Sequence, residues 1–277
     1  MCFADIPRQF SCGDRGRAVA SVAGSGEDVG MQSPPYAAIC LVTGASSGIG
    51  LALVHQLLER GHRVVCIARD RARLESALVD CGEQVYLASV DVTDQASVDR
   101  LVVELPAQWQ PIEILVANAG SDIGGRVEFV DGNMADWADT IATNVSGVMR
   151  ICHAFLPSMI ERNLGHVVTI GSTAGVNVYV GGAAYAASKY AVRAFTEALR
   201  LELKRSPIRI TEVLPGTART GFAAARHRGD SDRAANFYEQ LDGTLDAKDV
   251  VAAVMYALDQ PPHVNIAQIL ITPTSDK

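Results

Sequence analysis

From residue 36 onward, short apolar runs alternate with longer segments of helical periodicity. The apolar runs show little polar alternation, which is typical of strands buried on both faces of a parallel sheet. Because right-handed crossovers join such strands, the pattern predicts an α/β fold with a single Rossmann-type, doubly wound parallel sheet and helices on both faces. The predicted strands cover residues 38–42, 63–67, 85–88, 112–117, 166–170, 208–213 and 267–271. The predicted helices cover residues 49–60, 71–79, 95–104, 134–162, 183–204, 233–241 and 247–258.

Residues 1–35 differ in composition from the rest of the chain. They are rich in glycine, serine and charges of both signs, lack periodicity and end in Ser33-Pro34-Pro35. Such a segment buries too little apolar surface to fold, so we expect a disordered N-terminal extension over 1–35. It has no apolar segment like that of a secretory signal. Because the alternation then continues without a break, we expect one domain over 36–277.

The composition argues against several classes of partner. The formal net charge is −7 without a basic stripe, which disfavours nucleic acid. No apolar run is long enough to span a bilayer, so no membrane partner is expected. The 6 cysteines show no metal-ligand spacing, and no metal site is predicted. Cysteines in apolar stretches fit a reducing, cytoplasmic compartment.

A glycine-rich turn follows the first predicted strand directly and opens the next helix. Glycines let the backbone turn sharply and approach a pyrophosphate, while the helix N-terminus supplies free N–H groups and a positive dipole end. A tight turn that binds nothing can contain the same glycines, but the strand–turn–helix context favours phosphate binding. The predicted dinucleotide contacts in this turn are Gly44, Ser46, Ser47, Gly48, Ile49 and Gly50.

The end of the second strand indicates which dinucleotide is bound. A carboxylate here would bind the ribose hydroxyls of NAD, but Ala68 offers none. Arg69 offers a guanidinium group suited to phosphate, so NADP is favoured and NAD is less favoured. Arg69 can also be a solvated surface charge beside Asp70.

Further cofactor contacts are expected where the third and fourth strands end. Asp91 can accept a hydrogen bond from the adenine amino group, or it can cap a helix that begins at Thr93. Gly120 allows close passage of the cofactor, and Asn118 is better suited to tying adjacent strands together than to touching a ligand. The predicted contacts are Asp91, Val92, Asn118, Ala119 and Gly120.

Four polar residues are candidates for the chemistry. Tyr185 and Lys189 are four residues apart in a predicted helix, so they share one face. The lysine charge favours the phenolate and can lower the tyrosine pKa from about 10 towards working pH. Ser172, at the carboxyl end of a strand, can hold a substrate oxygen while Tyr185 moves the proton. Asn144 can hold a water that connects Lys189 to solvent.

Each of these residues also has a structural explanation. Ser172 can be a cap, Tyr185 a core aromatic, Lys189 a solvated cation and Asn144 a helix kink. It is improbable that all four residues have only structural roles in a chain that also carries a dinucleotide-binding turn.

Together these residues resemble the short-chain dehydrogenase/reductase family, whose pattern is Thr-Gly-x-x-x-Gly-x-Gly, Asn-Ala-Gly, Asn, Ser and Tyr-x-x-x-Lys. Every element occurs in order, and the resemblance covers residues 36–277. It implies hydride transfer to or from a nicotinamide. Ala117 departs from the second asparagine of many members, without harm to the chemistry. The implied catalytic residues are Asn144, Ser172, Tyr185 and Lys189, and the implied cofactor contacts add Tyr185, Lys189, Pro215, Gly216, Thr217 and Thr220.

A closer resemblance is to the NADP-dependent 3-hydroxy acid dehydrogenases, carried by residues 105–109, 161–166, 171–175 and 262–266. It implies oxidation of serine, allo-threonine and related 3-hydroxy acids, or reduction of malonic semialdehyde, by a homotetramer. Arg226 matches an arginine in the corresponding loop. It can pair with the substrate carboxylate, or form a surface ion pair with Asp230 or Asp232.

Three functions are compatible with these residues. The first is a 3-hydroxy acid dehydrogenase, and the second is a reductase of another carbonyl, such as a 3-oxoacyl thioester, a ketone or a steroid. The third is a dinucleotide-binding regulator without catalysis, against which the paired tyrosine and lysine argue.

Overall fold

A computed structural model describes residues 37–226, 230–239 and 241–275 of the 277-residue chain. The extension predicted over 1–35 lies outside the described residues. The strands are β1 (Ile39–Thr43), β2 (Arg63–Ala68), β3 (Val85–Ser89), β4 (Ile114–Ala117), β5 (His166–Ile170), β6 (Arg209–Pro215), β7 (Ala218–Arg219), β8 (Leu245–Asp246) and β9 (Gln268–Ile271). The helices are α1 (Gly48–Glu59), α2 (Arg71–Ala77), α3 (Gln95–Glu104), α4 (Met134–Ile141), α5 (Val148–Arg162), α6 (Ala183–Glu202), α7 (Phe222–Arg226), α8 (Ser231–Glu239) and α9 (Ala247–Leu258).

Seven strands form one parallel sheet in the order β3-β2-β1-β4-β5-β6-β9. The strand order reverses between β1 and β4, so a crevice is expected at their carboxyl ends. The fold is therefore the doubly wound Rossmann-type sheet that the alternation of apolar runs predicted.

Two apolar clusters hold helices on opposite faces of the sheet. Helices α1 and α9 cover one face, while α3, α5 and α6 cover the other. At the centre, Leu41 of β1 pairs with Leu115 of β4, and both side chains are fully buried. Burial of each such leucine stabilises the fold by about 1.5–3 kcal/mol. This rigid centre fixes the strand ends at the crevice.

The helix predicted over residues 134–162 is interrupted. A π-helical turn at Ala142–Gly147 separates α4 from α5. Asn144 lies in this turn, and Gly147 contacts Val92 so closely that a Cβ there would lie 2.7 Å from the valine Cγ2. The Gly147–Val92 contact joins residues distant in sequence, which explains why helical periodicity alone did not indicate the break. Such turns are frequently found at functional sites.

No helix among the described residues combines the length and apolarity that a membrane span requires.

Candidate active site

The glycine-rich turn forms a narrow cradle at the carboxyl end of β1. Gly44 and Gly48 have φ angles of 67° and 56°, which residues with a side chain rarely adopt. Helix α1 begins at Gly48, and its N-cap Ser47 makes no side-chain capping bond. The first N–H groups of α1 are thus available to an anion, and the local backbone fits the phosphates of a dinucleotide.

The third glycine of the turn has a different role from the one predicted. Gly50 does not line the crevice, although the sequence analysis assigned it to the cofactor. A Cβ at Gly50 would overlap the carbonyl oxygen of Gly44 and lie 2.6 Å from Nδ2 of Asn118. Gly50 therefore allows α1 to pack against the turn, and it acts on the site indirectly.

Asn118 ties β4 to β1, as predicted. Its Nδ2 donates to the Thr43 carbonyl oxygen at 2.8 Å, and its backbone N–H donates to Thr43 Oγ1 at 2.9 Å. The backbone N–H of Ala119 donates to the same hydroxyl at 2.7 Å. These bonds fix the end of β4 to the end of β1, at the point where the strand order reverses.

A cavity of about 580 Å³ runs along this edge of the sheet, a volume typical of small-molecule sites. It joins the glycine-rich turn to the segment that follows β6. The predicted residues that line it are Gly44, Ser46, Ser47, Gly48, Ile49, Arg69, Asp91, Val92, Asn118, Ala119, Gly120, Ser172, Tyr185, Lys189, Pro215, Gly216, Thr217, Thr220 and Arg226. Asn144 lies behind this surface and contributes no lining atom.

Two arginines lie at the end of the cavity where β2 stops. Arg69 was predicted, and Arg73 of α2 lines the same surface. Arg73 extends towards the opposite wall, since a Cβ at Gly221 would lie 3.8 Å from its Nη2. Asp91 also lines the cavity, but its Oδ1 accepts hydrogen bonds from the N–H and hydroxyl of Thr93. Asp91 thus shapes a turn; the helix that follows begins at Gln95 and is capped by Asp94.

Ser172 and Tyr185 meet at the other end of the cavity. Ser172 caps a short turn by accepting a hydrogen bond from Ala174 N–H at 3.1 Å, and its hydroxyl also hydrogen-bonds Tyr185. Burial raises the pKa of Tyr185, while the Ser172 hydrogen bond and the positive charge of Arg226 lower it. The net direction is upward, so Tyr185 stays protonated at neutral pH.

This direction corrects the expectation that Lys189 brings the Tyr185 pKa down. The Lys189 Nζ lies 5.7 Å from the Tyr185 ring centroid and donates to the Ile170 carbonyl oxygen at 2.9 Å. Burial lowers the pKa of Lys189 to about 8, against the opposing charges of Glu212 and Asp122. Burial is the largest cause of the pKa shift at both residues.

Asn144 positions its neighbours through its side chain. It is 1% exposed, its Oδ1 accepts from Ser121 N–H at 2.7 Å, and its Nδ2 donates to the Ser121 carbonyl oxygen at 2.8 Å and to Ser188 Oγ at 2.9 Å. Both amide hydrogens are therefore committed. The side chain thus fixes α6 to the loop after β4, and the role of holding a water stays a prediction.

Arg226 ends helix α7 and faces the cavity from the segment after β6. Its Nη2 lies 2.7 Å from Asp122 Oδ2, and the two side chains are only 8% and 7% exposed. No described residue accepts a hydrogen bond from its Nε or Nη1. The surface ion pair considered for Arg226 is thus a buried pair with Asp122, and the Arg226 side chain also forms part of the cavity lining.

Aromatic side chains that the sequence analysis did not single out complete the wall opposite the sheet. Tyr185 lies 5.9 Å from Phe222 between ring centroids. Tyr238 of α8 accepts a hydrogen bond from Thr220 N–H at 3.1 Å, which holds the segment after β6 in place. Phe222 and Tyr238 follow the segment 215–220, whose residues were expected to contact the cofactor. That proximity in sequence was the one feature that could have indicated them. The unpredicted lining residues with aromatic or positively charged side chains are Arg73, Arg126, Tyr179, Phe222, Phe237 and Tyr238.

Comparisons with known proteins agree with this geometry. A family model described as short chain dehydrogenase matches residues 38–231. An NADP-dependent 3-hydroxy acid dehydrogenase of Salmonella typhi is 37% identical over 238 residues, which cover 86% of this chain and 95% of that protein. A sulfoacetaldehyde reductase 2 of Chromohalobacter salexigens is 34% identical over 239 residues, covering 85% and 94%.

Two solved structures are also similar. The closed form of a serine dehydrogenase complexed with NADP+ has a TM-score of 0.82 at 36% identity, covering 85% of this chain and 95% of that chain. A serine dehydrogenase from Escherichia coli has a TM-score of 0.74 at 33% identity, covering 85% and 98%.

Proposed function

Because the chain belongs to the short chain dehydrogenase family, we propose that it is an NADP-dependent oxidoreductase that interconverts small 3-hydroxy acids and 3-oxo acids, of the serine, allo-threonine and 3-hydroxypropionate type. The observation that carries the proposal is one cavity lined by a dinucleotide cradle, by Ser172 and Tyr185, and by a buried arginine. The names of the relatives support the same cofactor and substrate class.

The residues along the cavity fit NADP. The N-terminus of α1 and the glycine turn suit the pyrophosphate, and Arg69 suits the 2′-phosphate. Asp91 and Val92 flank the position proposed for adenine, and Lys189 lies within the cavity wall near the proposed ribose. When bound, the nicotinamide supplies or accepts the hydride.

The protein side of the reaction is a proton transfer at one oxygen. In the reducing direction, Ser172 donates a hydrogen bond to the carbonyl oxygen, and Tyr185 gives it a proton. A tyrosine whose pKa is raised is fully protonated at neutral pH and can serve as this acid. In the oxidising direction Tyr185 must first lose its proton, and Ser172 and the positive charge of Arg226, which both lower its pKa, favour the phenolate that then accepts the alcohol proton.

A panel of substrates tests the assignment. We expect NADP reduction with L-serine, 3-hydroxyisobutyrate or 3-hydroxypropionate, and weaker reduction with NAD. Preference for 3-oxoacyl thioesters, ketones or steroids in the reverse direction would replace the acid assignment by another carbonyl reductase. If no combination of substrate and cofactor is turned over while NADP binds tightly, the function as a dinucleotide-binding regulator without catalysis would be supported instead.

Arg69→Ala tests the cofactor. We expect the Kd for NADP to rise by about 10- to 100-fold, since a charge-assisted hydrogen bond contributes about 1.5–3 kcal/mol. The Kd for NAD, which lacks the 2′-phosphate, should hardly change. Arg71→Ala is the matched control, because Arg71 forms its ion pair with Glu75 and does not line the cavity. Equal losses for both dinucleotides, measured by fluorescence titration, would remove Arg69 from phosphate recognition.

Arg226→Gln tests the acid end of the substrate. We expect kcat/KM for 3-hydroxypropionate to fall by about 10- to 100-fold and that for its methyl ester to change little, since only the acid forms the charged pair. Because the variant leaves Asp122 buried without Arg226, the double variant Asp122→Asn/Arg226→Gln should be compared. Equal losses on acid and ester in both variants contradict the carboxylate role.

We further propose a cytoplasmic homotetramer. Exposed apolar side chains on α5 and α6, namely Met149, Tyr190 and Leu201, are available for contacts between copies. The described cysteines are free thiols, which supports a reducing compartment.

A further inference from the structure

The loop after β4 carries an arginine that the catalytic scheme does not use. Arg126 lies in this loop and lines the cavity. Two backbone hydrogen bonds of the loop cross to other walls of the cavity: Val127 N–H donates to the Gly181 carbonyl oxygen, and Gly124 N–H donates to that of Arg226, both at 3.1 Å. The loop is therefore held between the two segments that border the proposed substrate position.

The Arg126 guanidinium group is directed along aromatic faces of the cavity. Its Cζ lies 4.6 Å from the Tyr179 ring centroid and 5.9 Å from that of Phe237. Arg226 approaches the same Phe237 ring, with its Cζ at 4.7 Å from the centroid. The two arginines thus share one aromatic contact, and Tyr179 and Tyr185 line the same cavity.

The two guanidinium groups differ in how their charge is balanced. Arg226 is buried and paired with Asp122 at 2.7 Å. Arg126 is exposed to the cavity and forms none of the ion pairs found among the described residues. A guanidinium group carries five N–H donors in a planar fork, so the contact of Arg126 with the Tyr179 side chain leaves further donors for a planar anion.

We infer that Arg126 is a specificity-determining residue that, together with Arg226, holds the carboxylate of the substrate and selects acids over neutral hydroxy compounds. This inference rests on the proposed function. Asp122 fixes the buried arginine in place and offsets its charge. Arg126 then supplies the uncompensated charge that attracts a small carboxylate into the cavity, with its hydroxyl or carbonyl oxygen at Ser172 and Tyr185.

Arg126→Gln and Arg126→Lys should be assayed with 3-hydroxypropionate and its methyl ester. We expect the glutamine variant to lose about 10- to 100-fold in kcat/KM on the acid, mainly through KM, and less than about threefold on the ester. The lysine variant should recover part of the loss, because it keeps the charge without the planar fork. Arg63→Gln is the control, since Arg63 stacks on Trp109 at 4.1 Å outside the cavity.

Two outcomes separate this inference from the proposed function. If the unaltered protein prefers the acid to the ester but Arg126→Gln keeps that preference, the inference is overturned and the function stands. Equal losses on acid and ester would likewise overturn it, because they would indicate a loop disturbance. If the unaltered protein turns over neither compound, or shows no preference for the acid, the proposed function fails first.

Discussion

Replacement of Tyr185 by phenylalanine is expected to reduce kcat by about 10³- to 10⁴-fold, near the upper end of what a general acid–base group contributes. The substitution removes the phenolic hydroxyl and keeps the ring that contacts Phe222. It leaves the cavity walls in place, so the Kd for NADP should rise by less than about tenfold, the equivalent of one neutral hydrogen bond. Steady-state kinetics with 3-hydroxypropionate and fluorescence titration with NADPH measure the two quantities separately.

Tyr190→Phe is the matched control for this experiment. Tyr190 lies on the same helix, is exposed, and donates its hydroxyl proton to the Val176 carbonyl oxygen at 2.7 Å. It does not line the cavity, so its removal should leave kcat unchanged. A Tyr185→Phe protein with unaltered kcat would exclude Tyr185 from the proton transfer, while a parallel loss of cofactor binding would indicate a collapsed cavity.

The fold was predictable because its signals are local and repeated. Buried apolar strands and helical periodicity recur along the whole sheet, and each predicted strand corresponds to one in the structure within a few residues. The glycine turn was predictable for a similar reason, since its backbone angles depend on neighbouring residues. The packing role of Gly50 was not predictable in this way, because it depends on Asn118, which lies 68 residues further along, just after β4.

The electrostatics of the site were not predictable in the same way. Spacing places Tyr185 and Lys189 on one helix face, but it does not give the burial that shifts both pKa values. The same holds for the Asp122–Arg226 pair, whose partners lie 104 residues apart, one in the loop after β4 and one at the end of α7. Arg126 had no motif to mark it, and only the closure of those segments places it in the cavity.

Replacement of Lys189 by methionine should have opposite effects on activity and stability. Activity should fall by about 10²- to 10³-fold, as for the loss of other preorganised charges. Stability at pH 7 should rise, because the charged lysine is 6% exposed and burial lowers its pKa from 10.5 to about 8. That pKa shift corresponds to a destabilisation of the folded state on the order of 3 kcal/mol, which the methionine variant removes. The variant also loses the hydrogen bond to the Ile170 carbonyl oxygen, which reduces its gain in stability by about 1 kcal/mol.

The pH dependence of the stability difference shows whether this destabilisation comes from the charge of Lys189. A lysine with a lowered pKa in the folded protein destabilises the fold fully below pH 8, and its penalty fades as pH rises towards 10.5, where the unfolded lysine also loses its proton. The stability difference between Lys189→Met and the unaltered protein should therefore shrink between pH 8 and 10.5, as measured by urea unfolding. Lys248→Met is the control, since that side chain is 80% exposed and should show neither effect. A difference that stays constant with pH would mean that methionine stabilises by packing alone, and that Lys189 carries no electrostatic strain.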